Sequence, residues 1–386
     1  MTDLFDFDTP IDRSNSGSVK WDRYKDTDIL PLWVADTDFK APPEVIEALQ
    51  TRAAHGVFGY THVPERLVEL VVERMQRFYD WQIKAEWLVW IPGVVGGLNL
   101  ASRSVGDADS PVMVPSVIYP HFPEAPLQID RQPLSIPVVK QNNRWVIDLD
   151  WMAENLDGKS KLLLFCNPQN PGGSVYTRDE LTRLAELAEQ HDFVIASDEI
   201  HCDLILEPGL KHIPIASVNA QIERRSITLM SVSKNFNLAG LSCSFAIIPD
   251  QQLRQKFNYQ KVGIVPHNNL FGYTAMQAAY EHGEDWNRQL IDYLRGNRDF
   301  LMREINTIKG LKLDLTEATY LAWIDVSELK LENPHGFFEQ AGIGMSPGKD
   351  YGDNNFMRLN FGCPRAQLEE AVSRIRKAIN EYHQTR

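Results

Sequence analysis

Apolar positions along the chain follow two spacings that alternate with one another. Segments such as Arg178–Glu189 place apolar residues three and four apart, which is the spacing of one helix face. Short runs that are apolar almost throughout recur at 111–115, 161–166, 193–197, 226–232 and 243–248. Because strands that are buried on both faces have this character, the alternation predicts an α/β fold. Its sheet is expected to be mostly parallel and covered by helices on both faces.

The two ends of the chain have different patterns. Residues 1–40 are polar and irregular. Beyond them the patterns predict helices over Pro43–Ala54, Pro64–Tyr79 and most of 268–306, strands at Tyr320–Val326 and Phe356–Phe361, and a closing helix from Pro364 to about Tyr382. We therefore predict a large α/β domain over 46–285. A smaller α+β domain would combine 286–386 with the N-terminal arm, 1–45.

Composition narrows the class of protein. A chain of 386 residues is long enough for two domains, and its net charge of -13 disfavours nucleic acid and anionic membranes as partners. No apolar run approaches membrane-spanning length. Four cysteines without paired spacing, and no signal segment before them, predict a reducing cytoplasm. The histidines form no zinc motif, so we expect no metal.

Lys234 directly follows an apolar run and has Ser231 and Ser233 beside it. Burial favours the neutral form of an amine, and a neutral amine condenses with carbonyl compounds, pyridoxal phosphate included. The two serine hydroxyls could donate to a phosphate. The simpler alternative is a loop lysine at the end of a strand.

Asp198 and Asn167 each follow an apolar strand, where ligands bind in open α/β sheets. A buried carboxylate such as Asp198 requires a cationic partner, and a protonated pyridine nitrogen would be one. Asn167 opens the turn Asn-Pro-Gln-Asn-Pro-Gly-Gly. The alternatives are a helix cap for Asp198 and an ordinary strand-to-helix turn for Asn167.

A glycine-rich segment and one arginine complete the candidates. Pro92–Leu98 joins an apolar strand to a helix, and free N–H groups at such a helix start form a phosphate cradle. Its spacing is neither the dinucleotide fingerprint nor the P-loop, which disfavours dehydrogenases and kinases. Arg358 lies inside an apolar strand, where a guanidinium pairs with a carboxylate of the protein or of a ligand. Tyr60 and Tyr119 are by themselves ordinary aromatic positions.

The order Asn167, Asp198, Lys234, Arg358 resembles the fold type I pyridoxal-phosphate enzymes of the class I/II aminotransferase superfamily, over nearly the whole chain. Within that superfamily the chain resembles the MalY/PatB-type cystathionine β-lyases (C–S lyases). The segments that carry this closer resemblance are Leu32–Phe39, Pro92–Val95, Asp198–His201, Ser233–Leu241 and Arg358–Arg365.

The resemblance implies pyridoxal 5'-phosphate as cofactor and a role for each candidate. Lys234 would hold the cofactor and move the substrate α-proton, Asp198 would pair with the ring nitrogen, and Arg358 would bind the substrate carboxylate. Asn167 would bond the phenolic oxygen and contact the substrate. Tyr119 would stack on the ring face and would be catalytic together with Lys234 and Asp198. His201 would also contact the cofactor. The phosphate would be surrounded by Val94, Val95, Ser231 and Ser233, and Tyr60 would reach it from the partner subunit of a homodimer.

The implied activity is a C–S β-lyase that converts cystathionine or another cysteine S-conjugate to a thiol, pyruvate and ammonia. An aminotransferase remains an alternative, because it shares the early steps. Two departures from many aminotransferases resemble the lyases: His201 replaces a tyrosine, and Ser242-Cys243 replaces an arginine near the phosphate. A regulatory role through a protein partner, added to the lyase or in place of catalysis, is a further alternative that these residues do not address.

Overall fold

The computed structural model describes residues 5–385. In chain order its strands are β1 Leu30–Pro31, β2 Leu88–Ile91, β3 Val112–Pro115, β4 Pro133–Ile136, β5 Val138–Gln141, β6 Arg144–Ile147, β7 Leu162–Cys166, β8 Val194–Asp198, β9 Ser226–Ser231, β10 Ser244–Ile247, β11 Lys312–Leu313, β12 Leu321–Asp325, β13 Ile343–Gly344, β14 Ser346–Pro347 and β15 Phe356–Asn360. Its α-helices are α1 Val19–Asp22, α2 Pro43–His55, α3 Glu65–Tyr79, α4 Val94–Ser104, α5 His121–Leu127, α6 Leu149–Asn155, α7 Arg178–Gln190, α8 Ala220–Arg224, α9 Gln251–Lys261, α10 Leu270–His282, α11 Glu284–Ile305, α12 Pro334–Gln340 and α13 Arg365–Gln384.

A seven-stranded sheet organises the larger part of the fold, in the order β2-β10-β9-β8-β7-β3-β4. Only β10 runs against the others, so the predicted mostly parallel sheet is confirmed. Alternate residues of β7 enter different cores. Leu162 and Leu164 pack in the core that contains α4, and Leu163 and Phe165 pack in the core that contains α7. Since both faces of the sheet are covered, apolar residues point to both faces of its central strands.

A second sheet, β11-β12-β15-β14, is antiparallel and carries the C-terminal part of the chain. The N-terminal arm joins this part: β1 pairs with β13 in parallel, with Leu30 opposite Ile343. That contact favours the predicted division into domains of 46–285 and of 1–45 with 286–386, which stays a prediction. Residues 1–4 and 386 of the small domain lie outside the described part of the chain.

Local details differ from the sequence-based predictions. The arm over 1–40 is not irregular throughout, since it contains α1 and β1, and the antiparallel pair β5–β6 was not predicted. These elements are short, and their patterns are too brief to stand out from a loop. Within residues 5–385, no helix has the length and apolar character needed to cross a bilayer.

Candidate active site

The candidate site lies at the carboxyl edge of the large sheet. β8 ends at Asp198, β9 ends shortly before Lys234, and β2 runs into the start of α4. Because these three strands are parallel to one another, their carboxyl ends share one edge, which borders a cavity of about 340 Å³. The predicted site residues that line this cavity are Val94, Val95, Tyr119, Asp198, His201, Lys234 and Arg358.

The Lys234 amine points into this cavity. Its Nζ donates a hydrogen bond to the Ala35 carbonyl oxygen at 2.6 Å. Burial, and then the nearby Arg358 guanidinium, lowers the pKa of Lys234 to about 8. About a tenth of the amine is therefore neutral at pH 7, far more than for an ordinary lysine, and the neutral amine is the nucleophile. Lys234 does lie in a turn just after β9, as the simpler alternative had it, but its amine faces the cavity.

Asp198 is a buried carboxylate, with 8% of its surface exposed. Its Oδ1 accepts a hydrogen bond from the Ile200 N–H at 3.0 Å. Burial raises the pKa of Asp198 to about 7. Residues 199–203 form a turn and no helix, so the helix-cap alternative is wrong. A cation placed against this carboxylate would restore its charged form.

Arg358 is buried in β15, with 3% of its surface exposed. Its guanidinium donates to the Trp33 carbonyl oxygen at 2.9 Å and to Asn170 Oδ1 at 3.2 Å, and it lies 4.6 Å from the centre of the Tyr351 ring. Nε is buried and has no hydrogen-bond partner within residues 5–385. Among the described residues no carboxylate lies within 4 Å of this guanidinium, which excludes the internal salt bridge. A buried guanidinium without a counter-ion favours an anionic ligand.

The start of α4 borders the same cavity. Gly93 is the N-cap residue and makes no side-chain cap bond, so the first N–H groups, those of Val94 and Val95 among them, have no acceptor in the helix. Ser231 and Ser233 do not line the cavity. Their Oγ atoms lie 2.6 Å apart, and Ser231 Oγ also donates to the Cys243 carbonyl at 2.8 Å. Their contact with a phosphate stays a prediction.

Asn170, and not Asn167, reaches the cavity from the turn after β7. Asn167 is fully buried, and its Nδ2 donates to the Ile213 carbonyl at 3.1 Å. The turn is held by Gln169, whose Nε2 donates to the Val117 carbonyl at 2.8 Å. Asn170 lines the cavity and accepts from Arg358. The sequence contained a signal for Asn170, because it starts a second Asn-Pro pair in the same turn, but only the first asparagine was predicted.

Two further predicted residues, Tyr119 and His201, line the cavity, and a third, Tyr60, does not. Tyr119 is half-buried on the cavity wall, and burial raises the pKa of its hydroxyl. His201 is buried, and its Nδ1 has no partner among the residues that the structure describes. Burial, and then the nearby Lys234 and Arg358, lowers the pKa of the imidazole far below its usual range. His201 is therefore neutral. Tyr60 is fully exposed and lies outside this cavity.

Backbone carbonyls of the segment 33–36 were not predicted as part of the site. The Trp33 carbonyl accepts from Arg358 and from Ser346 Oγ, each at 2.9 Å. The Ala35 carbonyl accepts from Lys234 and from Tyr320 Oη, the latter at 2.9 Å. One segment of the N-terminal arm thus orients both cations. No side-chain pattern reports a carbonyl contact, so sequence reasoning could not find it.

The parallel sheet, the lysine after β9 and the buried arginine define a class I and II aminotransferase fold. The family model "Aminotransferase class I and II" matches residues 27–375. "Cystathionine beta-lyase PatB" of Bacillus subtilis is 36% identical over 390 residues, which cover 97% of this chain and 100% of that protein. The chain belongs to the class I and II aminotransferase family and, within it, to the MalY/PatB-type C–S lyases.

Solved structures agree with this assignment. The crystal structure of OvoB has a TM-score of 0.95 and 48% sequence identity, covering 97% of this chain and 99% of that one. The PLP-bound C–S lyase from Staphylococcus hominis has a TM-score of 0.91 and 30% identity, covering 98% of this chain and 99% of that one. The similarity therefore extends over both sheets.

Proposed function

We propose that the chain is a pyridoxal-phosphate-dependent C–S β-lyase. It cleaves cystathionine or another cysteine S-conjugate to a thiol, pyruvate and ammonia. The observation that carries the proposal is one cavity that combines the amine of Lys234, the carboxylate of Asp198 and the unpaired guanidinium of Arg358. Relatives that share nearly the full length of the chain are named for this chemistry.

The residues present fit the cofactor. The uncapped start of α4 suits a phosphate, and Asp198 suits the protonated ring nitrogen because burial otherwise leaves its charge uncompensated. Neutral His201 and Asn170 lie where they could bond the phenolic oxygen, and Tyr119 could cover the ring face. When bound, the cofactor supplies an electron sink for the carbanion at the substrate α-carbon.

The side chains of this chain then bind, orient and move the proton. Arg358 binds the α-carboxylate through two N–H donors and turns the α-hydrogen toward Lys234. Lys234, once free, removes the α-proton, and its lowered pKa keeps part of it neutral near pH 7. The thiolate then leaves the β-carbon. Aminoacrylate released from the site breaks down to pyruvate and ammonia.

A turnover assay tests the proposal. Purified holoenzyme with cystathionine and no keto acid should release pyruvate, ammonia and thiol in equal amounts through many turnovers. Alanine, which has no leaving group, should give only slow half-transamination. If cystathionine turnover stops after one equivalent and resumes only when a keto acid is added, the protein is an aminotransferase.

We also propose that the active unit is a homodimer to which Tyr60 contributes. Tyr60 is fully exposed in one chain, and its neighbours Val57 and Phe58 are 63% and 57% exposed. An apolar exposed run of this kind is typical of an interface. Mixing Tyr60→Phe with Lys234→Ala subunits would create hybrids with one intact site, so activity should rise after subunit exchange. A fully active monomer in light scattering would contradict sharing.

A cytoplasmic location is the last part of the proposal. All four cysteines are buried and free, which suits a reducing compartment. Cell fractionation with an antibody against the protein would test this location.

A further inference from the structure

Two charged residues that line the cavity have no role in the proposed lyase reaction. Arg23 comes from the N-terminal arm, and Asp350 comes from the C-terminal part of the chain. Both side chains are exposed, whereas Asp198 and Arg358 are buried. Arg23 and Asp350 therefore lie at the mouth of the cavity, on the solvent side of the reacting groups.

The guanidinium of Arg23 is held in place but only weakly neutralised. It stacks on the Trp33 ring, with 4.6 Å from Cζ to the ring centroid, and the Trp33 indole N–H donates to the Lys20 carbonyl at 3.0 Å. Within residues 5–385, the carboxylate that lies within 4 Å of the guanidinium is that of Glu339, with 3.9 Å between Arg23 Nη2 and Glu339 Oε1. That same Glu339 oxygen accepts a hydrogen bond from Tyr24 at 2.7 Å. Arg23 therefore retains donors for a ligand.

Asp350 lies on a short turn of the C-terminal part of the chain. It lies on the 3-10 turn Gly348–Tyr351, and within residues 5–385 its carboxylate makes no hydrogen bond or ion pair. The end of the turn packs closely on the segment that follows β3: Gly352 has φ +105, and a Cβ there would lie 2.2 Å from the Ser116 carbonyl oxygen. The Tyr351 carbonyl accepts from the Ile118 N–H at 3.1 Å. These contacts hold the backbone beside Asp350 against the segment that follows β3.

Arg23 and Asp350 line one cavity and do not pair with each other. Together they offer opposite charges to a ligand that carries both an ammonium and a carboxylate. We propose that Arg23 and Asp350 are specificity-determining residues that bind an amino-acid group on the leaving thiol. Arg23 would bind its carboxylate and Asp350 its ammonium. The inference rests on the proposed lyase function, in which Arg358 binds the substrate's own α-carboxylate. A second carboxylate on the thiol part therefore needs another cation. It predicts that conjugates whose thiol part carries both charges are preferred over apolar ones.

Four conjugates separate the two contacts. Cystathionine carries both distal charges, S-aminoethyl-L-cysteine carries only the ammonium, S-carboxyethyl-L-cysteine carries only the carboxylate, and S-propyl-L-cysteine carries neither. Pyruvate release without keto acid gives kcat and KM for each. Wild-type holoenzyme is compared with Arg23→Gln and Asp350→Asn. The matched controls are Lys25→Gln and Asp26→Asn, exposed neighbours that do not line the cavity.

Arg23→Gln should lower kcat/KM about tenfold for the two substrates with a distal carboxylate, mainly through KM. Asp350→Asn should do the same, about tenfold, for the two substrates with a distal ammonium. S-propyl-L-cysteine should be unaffected by either change, and the controls should match wild type on all four.

Three outcomes overturn part of this reasoning in different ways. An equal loss on all four conjugates would assign a structural role to the residue. No loss on any conjugate would show that the residue does not contact substrate. If wild type releases no pyruvate from any of the four without a keto acid, the lyase function itself fails. Equal melting temperatures and cofactor absorbance confirm that each variant is folded and loaded.

Discussion

Replacing Asp198 with asparagine should have opposite effects on stability and on catalysis. The change keeps the size of the side chain and the oxygen that accepts from Ile200, and it removes the charge. In the cofactor-free protein that charge is buried, and no cation within residues 5–385 lies at bonding distance from it. With cofactor bound, the ring nitrogen would supply one.

The magnitude follows from the raised pKa. The pKa of Asp198 moves from 3.8 to about 7 on folding, because burial disfavours the carboxylate. At about 1.4 kcal/mol per pH unit, ionising Asp198 in the folded cofactor-free protein costs about 4 kcal/mol above pH 7. The folded pKa is the higher one, so this group destabilises progressively as pH rises from about 4 to 7 and then no further.

Urea unfolding of cofactor-free protein at several pH values measures this effect. Asp198→Asn should equal wild type near pH 4 and exceed its free energy of unfolding by a few kcal/mol near pH 8. Asp192→Asn is the matched control. Asp192 is an exposed carboxylate whose pKa is lowered, first by its hydrogen bond from Arg225, so this change should bring no gain near pH 8.

Activity should change in the other direction. Asp198→Asn should still bind cofactor, and kcat should fall by about 10²–10³, because the ring nitrogen loses its counter-charge. Steady-state pyruvate release from cystathionine measures this. A kcat within about tenfold of wild type would refute the assignment of Asp198 to the ring nitrogen. A variant that gains no stability near pH 8 would refute the uncompensated burial of the Asp198 charge.

Further predictions concern the other polar groups of the cavity. Arg358→Lys should lower kcat/KM for amino-acid substrates by about tenfold or more, since an ammonium cannot donate two parallel bonds to a carboxylate; unchanged kinetics would exclude a substrate contact. Asn170→Asp should raise KM, because the new carboxylate lies beside Arg358 Nη1 and competes with the substrate for the guanidinium, while Asn167→Asp should affect KM less. Borohydride should fix the cofactor on Lys234, as read by peptide mass spectrometry, and a label on another lysine would disprove the site.

Most of the architecture could be predicted from the order of residues. The apolar runs 161–166 and 193–197 are strands β7 and β8, and the helical pattern Arg178–Glu189 between them is α7. These features are local, because burial on two faces or on one face determines the spacing of apolar residues. Asp198 and Lys234 were identified for the same reason, as polar residues at the ends of apolar runs. The short pair β5–β6 lacked such a pattern.

The partners of polar groups were decided only by the tertiary structure. Two environments for Arg358 were equally consistent with the sequence. The fold decides between them, because in the described part of the chain only carbonyl, amide and hydroxyl oxygens bond its guanidinium, and no carboxylate does. Asn167 and Asn170 stand in the same local context, yet the turn directs only Asn170 into the cavity. Arg23 and Asp350 are more than three hundred positions apart and meet one cavity. Whether a buried charge has a partner of opposite charge depends on contacts between residues that are distant in sequence. The local spacing of residues along the chain does not predict such contacts.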